Sequence, residues 1–270
     1  MPELPDLHVY AENLRPKVCG KTIARVEVHH PRFLGRMEKA DFMDRLKGAS
    51  IANVARRGKT LRFLLGSSGR LDVHLMSTGE IYYAPVWKPA RAPCPVLSLF
   101  FTDDSRLVFS DVHYDPRRPL SPKIRIALDK DDRIGIDPLD PAFTPGALAA
   151  ICGRSKIASL KAVLTDQKLI AGLGNAYADE ILWEARLRPR HPASLLTPAE
   201  AAALHRAVGS VMTGAITCVR DGLNGEVHGE MRDFLKIHHR SGRPCPRCGE
   251  KIAEELLRDR PTYWCPTCQV

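Results

Sequence analysis

Residues 245–268 read CPRCGEKIAEELLRDRPTYWCPTC. Two Cys-x2-Cys pairs, Cys245 with Cys248 and Cys265 with Cys268, are separated by sixteen residues. Each pair places two thiolates on one tight turn, and two such knuckles complete a tetrahedral site that suits Zn2+. Four thiolates leave no open position for a catalytic water, so one structural zinc holding a short hairpin is expected. Cys19, Cys94, Cys152 and Cys218 are scattered elsewhere, and the usage reads as a metal site rather than a disulfide framework. Arg243, Arg247, Lys251, Arg258 and Arg260 lie in or beside the finger. A zinc-stapled hairpin can hold arginine against DNA phosphates, although a solvated basic face accounts equally well for any one of these residues.

The rest of the chain agrees with an acidic partner. Its 270 residues are 44% hydrophobic and 26% charged, the balance of a folded globular protein. The 40 Lys and Arg against 31 Asp and Glu leave a formal charge of +9, a field that attracts a polyanion such as nucleic acid. No apolar run approaches the roughly 18 to 20 residues that span a bilayer, and MPELPDLHVY lacks the basic and apolar stretches of a signal peptide. A cytoplasmic protein without membrane association is expected.

Upstream of the finger the pattern is helical. Thr197-Pro198-Ala199-Glu200 forms a capping box with proline at the first helical position, and apolar spacing continues through Leu204, Val208, Val211 and Ile216 to a stop near Gly222. Gly172-Leu173-Gly174-Asn175 precedes the helical stretch AYADEILWEA, where free backbone amides could hold a phosphate. An ordinary interhelical turn explains the same residues. Between about 129 and 147 the sequence turns to Asp, Pro and Gly, as in an interdomain connection. Before it, runs at 22–28, 51–54, 60–65, 71–75, 80–84, 96–101 and 107–109 are rich in β-branched, leucine and aromatic residues. With turn signals such as Asp103-Asp104 between them, they predict an antiparallel sandwich or barrel with no long helix inside it. Leu4, Leu7, Ala11 and Leu14 predict a short N-terminal helix, with Pro5 in its first turn and Pro16 closing it.

Proline after Met1 normally leads to removal of the methionine, exposing Pro2 as a secondary amine. A free α-amine titrates at about 7.7 to 8.0 and can attack an electrophilic sugar carbon to give a Schiff base, while the adjacent Glu3 moves protons. Taken alone, Pro2 and Glu3 are an N-terminus and a first-turn charge, and Lys59 in Arg56-Arg57-Gly58-Lys59 is a surface lysine.

Together, in this order, the pieces resemble the formamidopyrimidine-DNA glycosylase and endonuclease VIII family of base-excision repair enzymes. The resemblance spans nearly the whole chain: PELP after Met1, Arg-Arg-Gly-Lys before a strand, His74-Leu75-Met76, IDPL at 136–139, LTDQKLIAGLGNAYADEIL, and RPTYWCPTCQ in the finger. It implies an N-terminal catalytic helix and antiparallel β-sandwich over 1–130, a linker at 131–148, a helix-two-turns-helix α domain over 149–235 and a C-terminal zinc-finger hairpin over 236–270. It also implies a monomeric, bacterial, nucleoid-associated glycosylase and abasic-site lyase acting on double-stranded DNA that contains damaged bases or abasic sites, with β,δ-elimination. DNA is expected in a basic cleft between the β-rich and helical halves. By the same resemblance Pro2 is the nucleophile, Glu3 the proton donor at the sugar, and Lys59 the lysine that assists elimination. Asn175 binds phosphate, as does Lys156 by a weaker match, and Arg260 grips phosphates and supports the last elimination step. His74, Met76 and Arg117 would contact DNA.

Several positions depart from the pattern. The family's His-Leu-Gly-Met-Ser-Gly stands here as His74-Leu75-Met76-Ser77-Thr78-Gly79, which displaces or substitutes the methionine that fills the hole left by an extruded base. The family's Asp-Pro-Arg-Arg-Phe-Gly appears only as Asp115 to Pro119, while Asp111, His113 and Tyr114 align better by strand position. Asp6 replaces a usual glutamate, and Ile237-His238-His239-Arg240 replaces a tyrosine-glycine segment, giving two interdomain surface histidines or DNA contacts. DGLNGEVHGE at 221–230 is short and glycine-rich where 8-oxoguanine-specialised members carry a long flexible loop, so ordering it is costly and few base contacts are expected from it. Distorting lesions would then react faster than 8-oxoguanine opposite cytosine. Two rivals remain at this stage. A non-catalytic DNA-damage-binding protein on the same scaffold would not need Pro2 or Glu3. A zinc-ribbon transcription or RNA-binding factor would leave the first 20 residues without a role.

Overall fold

Helix α1 (Leu4–Val18) forms because Leu4, Leu7, Ala11, Leu14 and Val18 recur on one face, and all five are buried. Its start is fixed by the Asp6 carboxylate, which accepts the Glu3 backbone N–H at 2.8 Å. The helix runs past Pro16, where the sequence reading ended it. Proline removes one donor near the C-terminal end, and the Cys19 N–H still reaches the Arg15 carbonyl at 3.0 Å. The structure is a computed structural model that describes residues 1–35, 37–66, 69–86, 92–113, 125–128, 133–155 and 158–270.

After α1 come β1 (Ile23–Val28), α2 (Lys39–Leu46), β2 (Ile51–Arg57), β3 (Thr60–Leu65), β4 (Gly69–His74), β5 (Gly79–Ala84), β6 (Pro95–Phe101), β7 (Arg106–Asp111) and β8 (Arg125–Leu128). Each of the apolar runs identified in the sequence is a strand. The strands form two four-stranded antiparallel sheets, ordered β1-β6-β7-β5 and β2-β3-β4-β8. Phe63 of β3 meets Phe109 of β7 edge-on at 5.8 Å, joining the inner faces of the sandwich. α2 and β8 were not anticipated. α2 buries Phe42 and Leu46, one turn apart, but its eight residues carry too little periodicity to stand out. β8 has four residues.

The described chain divides into two compact units, Met1–Asp132 with Val219–Met231, and Arg133–Cys218 with Arg232–Val270. The second unit contains α3 (Pro145–Arg154), α4 (Leu160–Thr165), α5 (Asn175–Glu184), most of α6 (Pro198–Leu223), and the hairpin β9 (Ala253–Leu257) and β10 (Arg260–Trp264). Thr144 caps α3 through the Ala147 N–H. α6 opens on the expected box, with Thr197 N–H on Glu200 Oε2 at 2.8 Å and Glu200 N–H on Thr197 Oγ1 at 3.3 Å. By length and composition this helix could cross a bilayer, contrary to the reading that no apolar run suffices. Its apolar residues are arranged otherwise. Ala201, Leu204, Val208, Met212, Ala215 and Val219 form a buried stripe, and His205, Arg206, Thr213, Thr217 and Arg220 lie off it, which is the pattern of an amphipathic core helix.

Candidate functional site

The N-terminal unit carries the candidate chemistry. Pro2 is buried at the head of α1, and Glu3, only 4% exposed, is fixed by its backbone bond to Asp6. Lys59 lies in the two-residue turn of the β2–β3 hairpin beside Gly58, whose φ of 57° suits glycine there. The same hairpin packs under α1, where Arg15 Nε donates to the Val54 carbonyl at 2.9 Å. Lys59 is itself buried and so is more than the surface lysine its sequence context suggests. His74 ends β4, and its Nδ1 accepts the Met76 N–H at 3.0 Å. Met76 has a left-handed φ of 51°. That is the region glycine favours, and in the register of His-Leu-Gly-Met-Ser-Gly Met76 stands at the glycine and Ser77 at the methionine. Thr78 Oγ1 donates to the buried Asp111 carboxylate at 2.7 Å and ties this turn to β7. Arg117, Lys156, Tyr114 and the Asp115 to Pro119 segment lie outside the described residues, as do residues 129–132 of the connection.

In the second unit, Gln167 organises the glycine turn. Its Nε2 donates to the Leu173 carbonyl at 2.6 Å, and its Oε1 accepts the Gly172 N–H at 2.9 Å. Gly174, rather than Asn175, caps α5. Asn175 Nδ2 donates to the Pro261 carbonyl at 2.7 Å, which leaves its second N–H for another acceptor. Arg260 is exposed at the start of β10, and Arg258 and Arg260 line a polar cavity of about 280 Å³ with Lys161, Thr165 and Asp166. The β9–β10 turn places Arg258 and Asp259 at φ 50° and 59°, as a type I′ hairpin requires.

Behind these exposed groups is a buried ionic network. Lys161 Nζ, with the residue 2% exposed, is 2.7 Å from Oδ1 of the fully buried Asp179 and donates to Thr262 Oγ1 at 2.7 Å and the Pro261 carbonyl at 3.2 Å. Asp179 Oδ2 is 2.7 Å from His238 Nδ1. Glu180 accepts backbone N–H groups of Lys236, Ile237 and His238, while burial pushes its carboxyl above the ordinary range. His238 is thus buried, and both readings of it as a surface or DNA-contacting residue are corrected. His239 Nδ1 pairs with the Tyr263 hydroxyl at 2.9 Å.

Sγ atoms of Cys245, Cys248, Cys265 and Cys268 all lie within 4.8 Å of one another. Four sulfurs at about 2.3 Å from one zinc demand such a cluster, so the donor set fits. Burial opposes ionisation of the Cys245 thiol, but N–H groups of Arg247, Trp183 and Cys248 outweigh it and pull the thiol down to about 6. Trp183 Nε1 donates to this sulfur at 3.4 Å. Trp183, Ile237, Ile252 and Tyr263 pack with Cys245 and Cys265 in one apolar cluster, joining the finger to α5.

Comparisons with known proteins match this layout. Residues 1–118 match the formamidopyrimidine-DNA glycosylase N-terminal domain, 134–226 its H2TH domain, and 242–270 the zinc finger found in FPG and IleRS. A formamidopyrimidine-DNA glycosylase of Pelotomaculum thermopropionicum is 38% identical over 276 residues, covering 100% of this chain and 99% of the relative. The chain belongs to the formamidopyrimidine-DNA glycosylase family. A Streptococcus pneumoniae formamidopyrimidine-DNA glycosylase is 33% identical over 100% of this chain and 99% of its own length. Among solved structures, Lactococcus lactis FPG in complex with a FAPY-dG containing DNA has a TM-score of 0.86 at 28% identity, covering 99% of each chain. MutM in complex with carbocyclic 8-oxo-G containing DNA has the same TM-score, identity and coverage. The finger of this family member holds one structural zinc.

Sequence reasoning missed Lys161, Asp179 and Glu180 as a unit. The signal was the acidic pair Asp179-Glu180 inside residues 176–183, which are otherwise alanine, aliphatic or aromatic, where buried carboxylates require partners.

Proposed function

We propose that the chain is a bifunctional DNA glycosylase and abasic-site lyase acting on duplex DNA that carries damaged bases or abasic sites. The observation that carries this reading is the buried Pro2-Glu3 pair at the capped head of α1, in a chain matching glycosylases along its full length. With Met1 removed, the Pro2 nitrogen displaces the base from C1′ of a flipped nucleotide and forms an imine. Glu3 supplies the proton to the opening deoxyribose, as a shielded carboxyl can. Lys59, on its rigid hairpin turn, assists elimination at the scissile backbone. Arg260 and the remaining N–H of Asn175 bind phosphate, and Arg260 supports the second elimination. Zinc supplies the fold of the finger, and its four thiolates leave it no part in the chemistry.

Met76 serves this reading by shaping the turn after His74, and Ser77 is the residue offered where the family pattern has its void-filling methionine. Sodium borohydride trapping on an abasic duplex, followed by peptide mapping, tests the reading. An adduct on Pro2 is expected, together with mass-spectrometric loss of Met1. An adduct on Lys59 would overturn Pro2 as the nucleophile, and no adduct at all would overturn the lyase mechanism and favour a non-catalytic damage-binding role.

A further inference from the structure

Residues 224–231, which follow α6, bring an acidic group to the N-terminal amine. They leave the helix through Asn224 at φ 46° and Gly225 at φ 85°. Asn13 Nδ2 then donates to the Glu226 carbonyl at 2.7 Å, and the Tyr10 hydroxyl donates to the Gly229 carbonyl at 2.5 Å. Arg220 makes a forked pair with Glu12, and the His228 ring lies 4.5 Å from that of Tyr82 on β5. Val227 is buried. Tyr10, Glu12 and Asn13 all belong to α1, the helix whose head carries Pro2. These anchors offset the entropy cost that the glycines would otherwise impose. Gly229, at φ 103°, turns the chain so that the Glu230 carboxylate lies 2.6 Å from the amine of Met1.

We propose that Glu230 is a positioning residue and proton acceptor for the N-terminal amine, an inference that rests on the reading of Pro2 as nucleophile. Removal of Met1 moves the amine inward by one residue, a step of no more than about 3.8 Å along the backbone. The Glu230 side chain is 36% exposed and can follow that step while its segment stays anchored. The Pro2 ammonium gives one proton to Glu230. Its freed lone pair forms the N–C1′ bond as the C1′ bond to the base breaks, and the departing base takes the electron pair and a proton from water. The remaining N–H proton passes to the Glu3 carboxylate and from there to O4′. The C1′–O4′ bond breaks and the nitrogen lone pair completes the imine. A carboxylate beside an ammonium also raises the pKa of that ammonium.

The test is single-turnover borohydride trapping against pH with Glu230→Gln and Glu230→Asp in the full-length, zinc-loaded protein. Glu3, Asp6, His8 and Glu12 on α1, Glu80 and Tyr82 on β5, and Glu226 and His228 on the segment are the same in every variant, so the difference between profiles isolates Glu230. Glu230→Gln should lower the plateau at least tenfold and move the acid limb at least half a pH unit lower, with DNA affinity unchanged and Glu230→Asp restoring part of both. An acid limb that stays in place overturns the assignment whatever the plateau does. A wild-type adduct mapped to Lys59 overturns the Pro2 reading itself, whereas an adduct on Pro2 with an unmoved Glu230→Gln limb overturns only the role of Glu230.

Discussion

The two units use buried charge differently. In the N-terminal unit the buried charged groups include Glu3 and Lys59, which we propose meet the substrate, and Asp6 holds Glu3 in place. In the helical and finger unit the groups we propose for DNA, the exposed Arg260 and the half-buried Asn175, have the buried charges Lys161, Asp179 and Glu180 behind them. Shielding a reacting group from water strengthens its electrostatics. A phosphate-binding group must instead stay accessible, so its precision has to come from a stiff support. Lys161 and Asn175 both donate to the Pro261 carbonyl, next to Arg260, which makes that support concrete.

The largest effect should come from the metal. Structural zinc contributes on the order of 10–16 kcal/mol in small fingers, more than such a hairpin's own core supplies. Chelation or Cys265→Ser should abolish hydrogen-exchange protection from about residue 236 onward while the β-sandwich keeps its protection. Equal loss in both units would break the comparison. Next is Lys161→Met, which leaves the buried Asp179 carboxylate without its cation and should cost about 3–5 kcal/mol in urea denaturation. Adding Asp179→Leu should recover part of that loss, and a double variant as unstable as the sum of the singles would deny the coupling.

In the first unit the expected effects are smaller. Met76→Gly relieves a left-handed conformation and should stabilise by about 1 kcal/mol in thermal melts; destabilisation would mean that the methionine side chain packs more than its φ costs. Smallest is Asp103, whose carboxyl is held down to about 2, first by its bond to the Lys21 ammonium and then by Ser105. A depressed carboxyl contributes stability above its unfolded pKa and loses it as pH falls through the folded value. Asp103→Asn should therefore cost under about 1 kcal/mol at pH 7, given the exposure of the pair, and nothing once the pH is well below the folded value. An equal cost at both pH values would assign the effect to packing.

How much of this was legible in the sequence follows the same division. Runs rich in β-branched, leucine and aromatic residues revealed β1 to β7, some of which, such as β6 and β7, are buried on both faces, and the cysteine spacing revealed the finger because zinc geometry dictates it. Asn175 and Arg260 were legible through the motifs around them. The support was hidden, since Lys161 and Asp179 are eighteen positions apart and His238 fifty-nine from Asp179, and no periodicity links partners at such separations. Glu230 was hidden for the same reason, because its segment was read as costly to order and the α1 side chains that hold it, Tyr10 and Asn13, look like ordinary helix residues.

The central claim is that chemistry resides in the first unit and grip in the second. Measuring Glu3→Gln and Arg260→Ala on one damaged duplex, by single-turnover base release at saturating protein and by binding across a salt series, tests it most directly. Glu3→Gln should lose base release and keep the wild-type salt slope. Arg260→Ala should keep base release and flatten the log-log slope by about 0.9, the loss of one phosphate contact. Full base release by Glu3→Gln, or an unchanged slope in Arg260→Ala, would contradict the division.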